Sequence, residues 1–87
     1  MEIPEITSEL SGFIRERFGV PEKDSEFTDQ VDLFSYGYID SFGAVELTNF
    51  IEKRFSVAFT AADWVAFPLN TIDEISTFVS RRLKGEI

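Results

Sequence analysis

Three sets of largely apolar residues recur at helical spacing along this chain. Ile6, Leu10, Phe13, Ile14 and Phe18 form the first, and Val45, Leu47, Thr48, Ile51 and Phe55 the second. Ile72, Ile75, Phe78, Val79 and Leu83 form the third. Residues three and four apart share one side of a helix, so each set reads as the inward stripe of an amphipathic helix. Glu9, Arg15, Glu16 and Arg17 fall off the first stripe, and Glu46, Asn49, Glu52 and Lys53 fall mainly off the second. Val57-Ala58-Phe59 is β-prone but too short and isolated to pair into a sheet, and reads instead as a buried crossing. Helices packed on helices are therefore the architecture that buries these stripes.

The punctuation agrees. Pro4 suits a first helical turn and Gly19 a position just past a helix end, which sets the first helix at roughly 4–18. A second helix starts at Ser41. Residues 60–67 have room for one or two helical turns before Pro68 stops them. Thr71-Ile72-Asp73-Glu74 is a capping box that opens the last helix. Arg81, Arg82 and Lys84 suit its C-terminal dipole, and Gly85 ends it. Between the first two helices lies a long connection, 20–40. It holds Phe27, Val31, Leu33, Phe34, Tyr36, Tyr38 and Ile39, so it reads as an ordered connector packed by its own side chains. The expected fold is all-α: a four-helix bundle with three long helices, one short helix and a long first loop, in a single domain over residues 1–87.

The chain contains no cysteine and no histidine. Disulfides, thiolate nucleophiles, Cys/His zinc sites and His-based acid–base chemistry are thereby excluded, and an enzyme is not expected. Ten of the sixteen acids lie within residues 1–40, and the net charge is −8. Such a surface repels nucleic acid and anionic membranes and is steered toward basic patches on proteins. No basic-then-apolar leader pattern opens the sequence, and no apolar run approaches membrane-spanning length, so a cytoplasmic monomer with no membrane insertion is expected.

Asp40-Ser41 stands where the connector becomes the second helix. A helix start carries unpaired N–H groups and about half a positive charge, so a phosphodiester on Ser41 would lie in a favourable field. The same two residue types also serve as ordinary helix caps.

In context, the chain resembles the acyl carrier protein and peptidyl carrier protein superfamily over nearly its whole length. The resemblance is carried by Asp32-Leu33-Phe34, Gly37, Ile39-Asp40-Ser41-Phe42, Val45-Glu46-Leu47, Ile51-Glu52 and Phe55. It implies that Ser41 carries 4′-phosphopantetheine, transferred from coenzyme A by a phosphopantetheinyl transferase, with acyl or aminoacyl groups held on the terminal thiol. It further implies that Asp40 contacts the transferase, commonly through a bound metal. Phe42, Glu46, Asn49 and Lys53 match positions used for docking acyl- or aminoacyl-loading and transfer enzymes. Trp64, Val65 and Phe67 read first as core closure, the alternative being a groove that takes cargo or a partner.

Lys53 and Arg54 interrupt the acidic second helix of the fatty-acid type. Phe42-Gly43 and the tryptophan-bearing segment 60–70 look more like discrete carriers of specialised pathways. The expectation is a stand-alone carrier of a polyketide or nonribosomal peptide type of pathway. D-alanyl carriers of teichoic acid modification and fatty-acid carriers are the alternatives, and an unmodified interaction module is the alternative of another class.

Overall fold

The computed structural model describes residues 1–87. The chain forms four helices and no strand: α1 (Ile3–Arg17), α2 (Ser41–Phe55), α3 (Ala61–Ala66) and α4 (Ile72–Leu83). The helix starts follow their local chemistry. Pro4 lies in the first turn of α1, and the Glu2 N–H donates to Glu5 Oε1 at 3.1 Å. At α4, Thr71 Oγ1 accepts from the Glu74 N–H at 3.1 Å, while Glu74 Oε1 accepts from the Thr71 N–H at 3.2 Å. Together they form the reciprocal pair expected of a capping box. The α1 bounds shift by one residue from the expected 4–18, and Gly19 takes the left-handed conformation just past its end, with φ of 66°.

The core joins all four helices to the connector. Ile6, Leu10 and Ile14 of α1 and Ile72, Ile75 and Val79 of α4 are fully buried, as are Leu47 and Ile51 of α2. α1 packs chiefly on α4, where Thr7 Oγ1 donates to the buried Ser76 Oγ at 2.9 Å. Between α1 and α2, the Phe13 and Phe50 rings stack with centroids 4.1 Å apart. Arg54–Glu9 and Arg17–Glu46 ion pairs flank that stack. Phe50 lies outside the inward stripe read from the sequence, yet it forms the α2 half of this seam.

The connector is packed, as its composition requires. Phe27, Leu33 and Ile39 are buried, and Val31, Phe34 and Tyr38 lie against the core. Its backbone is tied to the loop before α4 and to that helix's first turn: the Leu33 N–H donates to the Asn70 carbonyl at 2.8 Å, and the Asp73 N–H donates to the Asp29 carbonyl at 3.0 Å. Phe59 is buried, consistent with a buried crossing before α3.

Four apolar residues depart from their expected burial. Val45 is 60% exposed, because α2 presents to the core the arc through Gly43, Leu47, Ile51 and Phe55. Val45 lies two residues from Leu47, roughly 160° round the helix at 3.6 residues per turn. Leu83 belongs to the last turn of α4, where the chain leaves the bundle, and Tyr36 sits at the tip of the turn before Gly37; both are exposed. Val65 is 89% exposed, because α3 is a short helix with only one side against the bundle.

Candidate functional site

Asp32 begins the approach to the site. Its Oδ1 accepts from the Phe34 N–H at 3.0 Å and the Ser35 N–H at 2.9 Å, closing a turn. The Ser35 and Phe34 N–H groups hold the Asp32 carboxyl below the usual carboxylate range, against a smaller opposing effect of desolvation. Gly37 follows with φ of 78°, a left-handed conformation that a side chain would strain. The chain then dives: Ile39 is buried, and its N–H donates to the Leu33 carbonyl at 3.1 Å. Tyr38 braces the same segment by donating its hydroxyl to Asp24 Oδ2 at 2.7 Å, a bond that pushes the phenol up to about 12.

With Ile39 anchored, Asp40 and Ser41 emerge at the surface. Asp40 is the N-cap of α2, with extended backbone, and its Oδ1 accepts from the Gly43 N–H at 2.8 Å. The Asp40 carbonyl accepts from the Ala44 N–H at 2.9 Å. Ser41 is the first residue of the helix and is exposed. The Ser41 and Phe42 N–H groups have no acceptor within the chain. An accessible hydroxyl, two free amides and the positive end of a fifteen-residue helix therefore coincide. That combination accommodates an anionic phosphate ester.

Gly43 makes this start possible, although the sequence marked it only through the Phe42-Gly43 resemblance. A Cβ there would lie 2.9 Å from Phe18 Cε1 and 3.0 Å from Ile39 Cγ2. The first turn of α2 thus rests directly on the Phe18 ring at the end of α1. Only the absence of a side chain allows that approach. A glycine inside an otherwise strong helix pattern was the available signal.

The remaining candidate residues divide into two groups. Phe42, Asn49 and Lys53 are exposed along the outer side of α2, with Phe42 at 77% beside Ser41. Val45 joins them on that side. Glu46 does not: it is half-buried and pairs with Arg17 of α1. On α3, Val65 faces solvent, whereas Trp64 and Phe67 are half-buried against the core. Trp64 Nε1 donates to Thr48 Oγ1 at 2.8 Å, and its ring meets Phe34 and Phe59 at centroid distances of 5.7 and 5.1 Å.

Asp63 secures α3. It is buried, accepts the Thr60 N–H at 2.8 Å on Oδ2, and pairs with Arg82 Nη1 at 3.2 Å. Burial alone would raise its pKa, but the Thr60 N–H and the Arg82 guanidinium together outweigh this and hold it low. Thr60 with Asp63 three residues on is a second cap signal of the kind recognised at Thr71. Arg82, expected to serve the α4 dipole, also lies over the Phe78 ring at 4.7 Å.

A family model described as phosphopantetheine attachment site matches residues 8–79. No curated protein matches the chain.

Proposed function

The chain belongs to the phosphopantetheine attachment family, whose members carry 4′-phosphopantetheine covalently, and from that premise we propose that Ser41 is its attachment residue. The observation that carries the proposal is the exposed Ser41 hydroxyl at the start of α2, next to two unpaired backbone amides. Ser41 Oγ forms the new bond to phosphorus as the pyrophosphate linkage of coenzyme A breaks and adenosine 3′,5′-bisphosphate leaves. A phosphopantetheinyl transferase supplies the base that takes the Ser41 proton. Once attached, the group supplies a terminal thiol that holds acyl or aminoacyl cargo as a thioester.

The chain's own residues orient and present that arm. Asp40 keeps one carboxylate oxygen on the Gly43 N–H, and its other oxygen has no partner in the chain, so it would be free to hold the transferase's metal while still capping α2. The free amides of Ser41 and Phe42 steady the phosphate. Phe42, Asn49 and Lys53 of α2, together with Val65 of α3, form the docking surface for the loading and transfer enzymes. Glu46 contributes through its hold on Arg17, which fixes α2 against α1. Family members are generally carriers without catalysis of their own, and no helix here is long and apolar enough to cross a membrane. The pathway we propose is of polyketide or nonribosomal peptide type, and the carrier works as a cytoplasmic monomer.

Incubation with coenzyme A, magnesium and a promiscuous phosphopantetheinyl transferase should add one arm to the protein by intact mass. Ser41→Ala should abolish the gain while leaving the unfolding free energy within about 0.5 kcal/mol of wild type, since the side chain is on the surface. A wild type that stays unmodified, or a modified Ser41→Ala, sinks the assignment.

A further inference from the structure

Ser41 and Thr48 are seven residues apart, two turns along the same side of α2, so an arm on Ser41 that followed the helix would pass the flank that Thr48 occupies. That flank is the seam between α2 and α3, the natural way from Ser41 into the bundle. It is filled with aromatic rings. Trp64 is hydrogen-bonded to Thr48 Oγ1, and Thr48 Oγ1 in turn donates to the Ala44 carbonyl at 2.8 Å. Behind the indole, the rings run on without a break. Phe34 meets Trp64 at 5.7 Å, Trp64 meets Phe59 at 5.1 Å, and Phe59 and Phe67 each meet Phe78 at 5.0 Å. Phe59 is 1% exposed and Phe78 3%. The broad surface grooves lie elsewhere: one of about 500 Å³ runs between α1 and α2 over Phe13 and Phe50, open to solvent.

Resting on the attachment reading, we propose that Trp64 is the specificity-determining residue of this carrier. By plugging the α2–α3 seam it keeps cargo outside the bundle, which selects a short or polar acyl group such as an aminoacyl group over a medium-length alkyl chain. An alkyl chain left in water forgoes the burial gain of every methylene, whereas an amino or hydroxyl substituent is at home there. Entry of an alkyl chain would require breaking the Trp64–Thr48 hydrogen bond and separating packed rings. A closed aromatic interior resists both.

Trp64 is the sole tryptophan, so its fluorescence reports the seam directly. The full-length protein is loaded by a promiscuous transferase with coenzyme A, acetyl-, alanyl- or octanoyl-coenzyme A, and loading is confirmed by mass. Wild type should show the same emission maximum and a melting temperature within about 1 °C for the free arm and all three cargoes. In Trp64→Ala the octanoyl form should melt about 5 °C or more above the acetyl form, as expected for a newly buried chain, and in Thr48→Val, which removes the hydrogen bond but leaves the rings packed, by a smaller margin. If Trp64→Ala fails to fold, Thr48→Val alone carries this arm. An octanoyl-dependent rise in melting temperature with a shifted Trp64 emission in wild type overturns the proposal. So does the absence of any octanoyl effect in Thr48→Val. A protein that gains no mass overturns the attachment reading, and this inference with it.

Discussion

The contact of α1 with α4 and the flank of α2 and α3 beside Ser41 are built differently. On the first, Ile6, Leu10 and Ile14 lie opposite Ile72, Ile75 and Val79, all fully excluded from water, with the one polar pair, Thr7–Ser76, satisfied inside. On the second, Phe42, Val45 and Val65 stand in solvent. α3 is held there by the Trp64–Thr48 hydrogen bond, the Asp63–Arg82 ion pair and the packing of the Trp64 ring on Phe34 and Phe59. Interdigitated aliphatic burial resists change in any one residue pair poorly, because each lost methyl leaves a void. A short helix anchored on one side leaves apolar groups exposed on the other, and those groups stay available to other molecules. One side of the bundle is a foundation, and the other presents chemistry.

Truncation on the two sides is the largest test of that contrast. Ile14→Ala or Ile75→Ala should cost about 2–5 kcal/mol in a denaturant melt, whereas Val65→Ala should stay within about 0.5 kcal/mol. Equal costs on both sides would erase the distinction. The ion pair of α3 comes next. Asp63→Asn leaves Arg82 without its counter-charge and should cost about 1–3 kcal/mol at neutral pH. Because the Asp63 carboxyl is held below its ordinary value, its stabilisation is present above the unfolded value of 3.8 and is lost as pH falls through the lower folded value. Asp24 and Asp32 are depressed in the same direction, chiefly by the Tyr38 hydroxyl and the Ser35 N–H respectively. Acidification from about pH 5 to about pH 2 should therefore lower the melting midpoint, and by less in Asp63→Asn than in wild type.

Smaller effects concern the helix start itself. In Gly43→Ala, overpacking against Phe18 and Ile39 costs about 1–3 kcal/mol and the better helix former returns about 1 kcal/mol, so a net loss of about 1 kcal/mol is expected. Its rate of arm attachment should fall further than that loss of stability explains, since the strain sits two residues from Ser41. Thermal melts paired with transferase kinetics check both halves. Asp40→Ala should cost about 1 kcal/mol as a lost cap, and Asp40→Asn close to nothing. Both should slow attachment if the carboxylate's charge, and not only its capping, serves the transferase. An Asp40→Asn variant modified at the wild-type rate would reduce Asp40 to a cap.

The helices, their caps and the packed connector were legible in the sequence because each follows from local rules. Apolar spacing sets a helix face, Thr71 with Glu74 sets a start, and Gly19 and Gly85 set ends. Asp40-Ser41 was equally legible, since a cap and an attachment point need only adjacent residues. Val45, Val65, Leu83 and Tyr36 were misplaced for one shared reason. Apolarity marks what can be buried, while burial itself depends on which arc of a helix has a neighbour. Glu46 shows the same limit for charge, since its place on α2 did not reveal that Arg17 would meet it.

Periodicity, capping chemistry and the Asp-Ser pair thus sufficed to determine a four-helix chain with a serine at the head of its second helix. Local chain geometry dictates those features, and local geometry is written residue by residue. The tertiary structure alone decided that Gly43 lets α2 settle on Phe18, that Phe50 stacks on Phe13, that Asp63 finds Arg82 and that Trp64 closes the seam below Ser41. Each of those contacts joins residues from separate parts of the chain, and it exists only once the helices have chosen their neighbours.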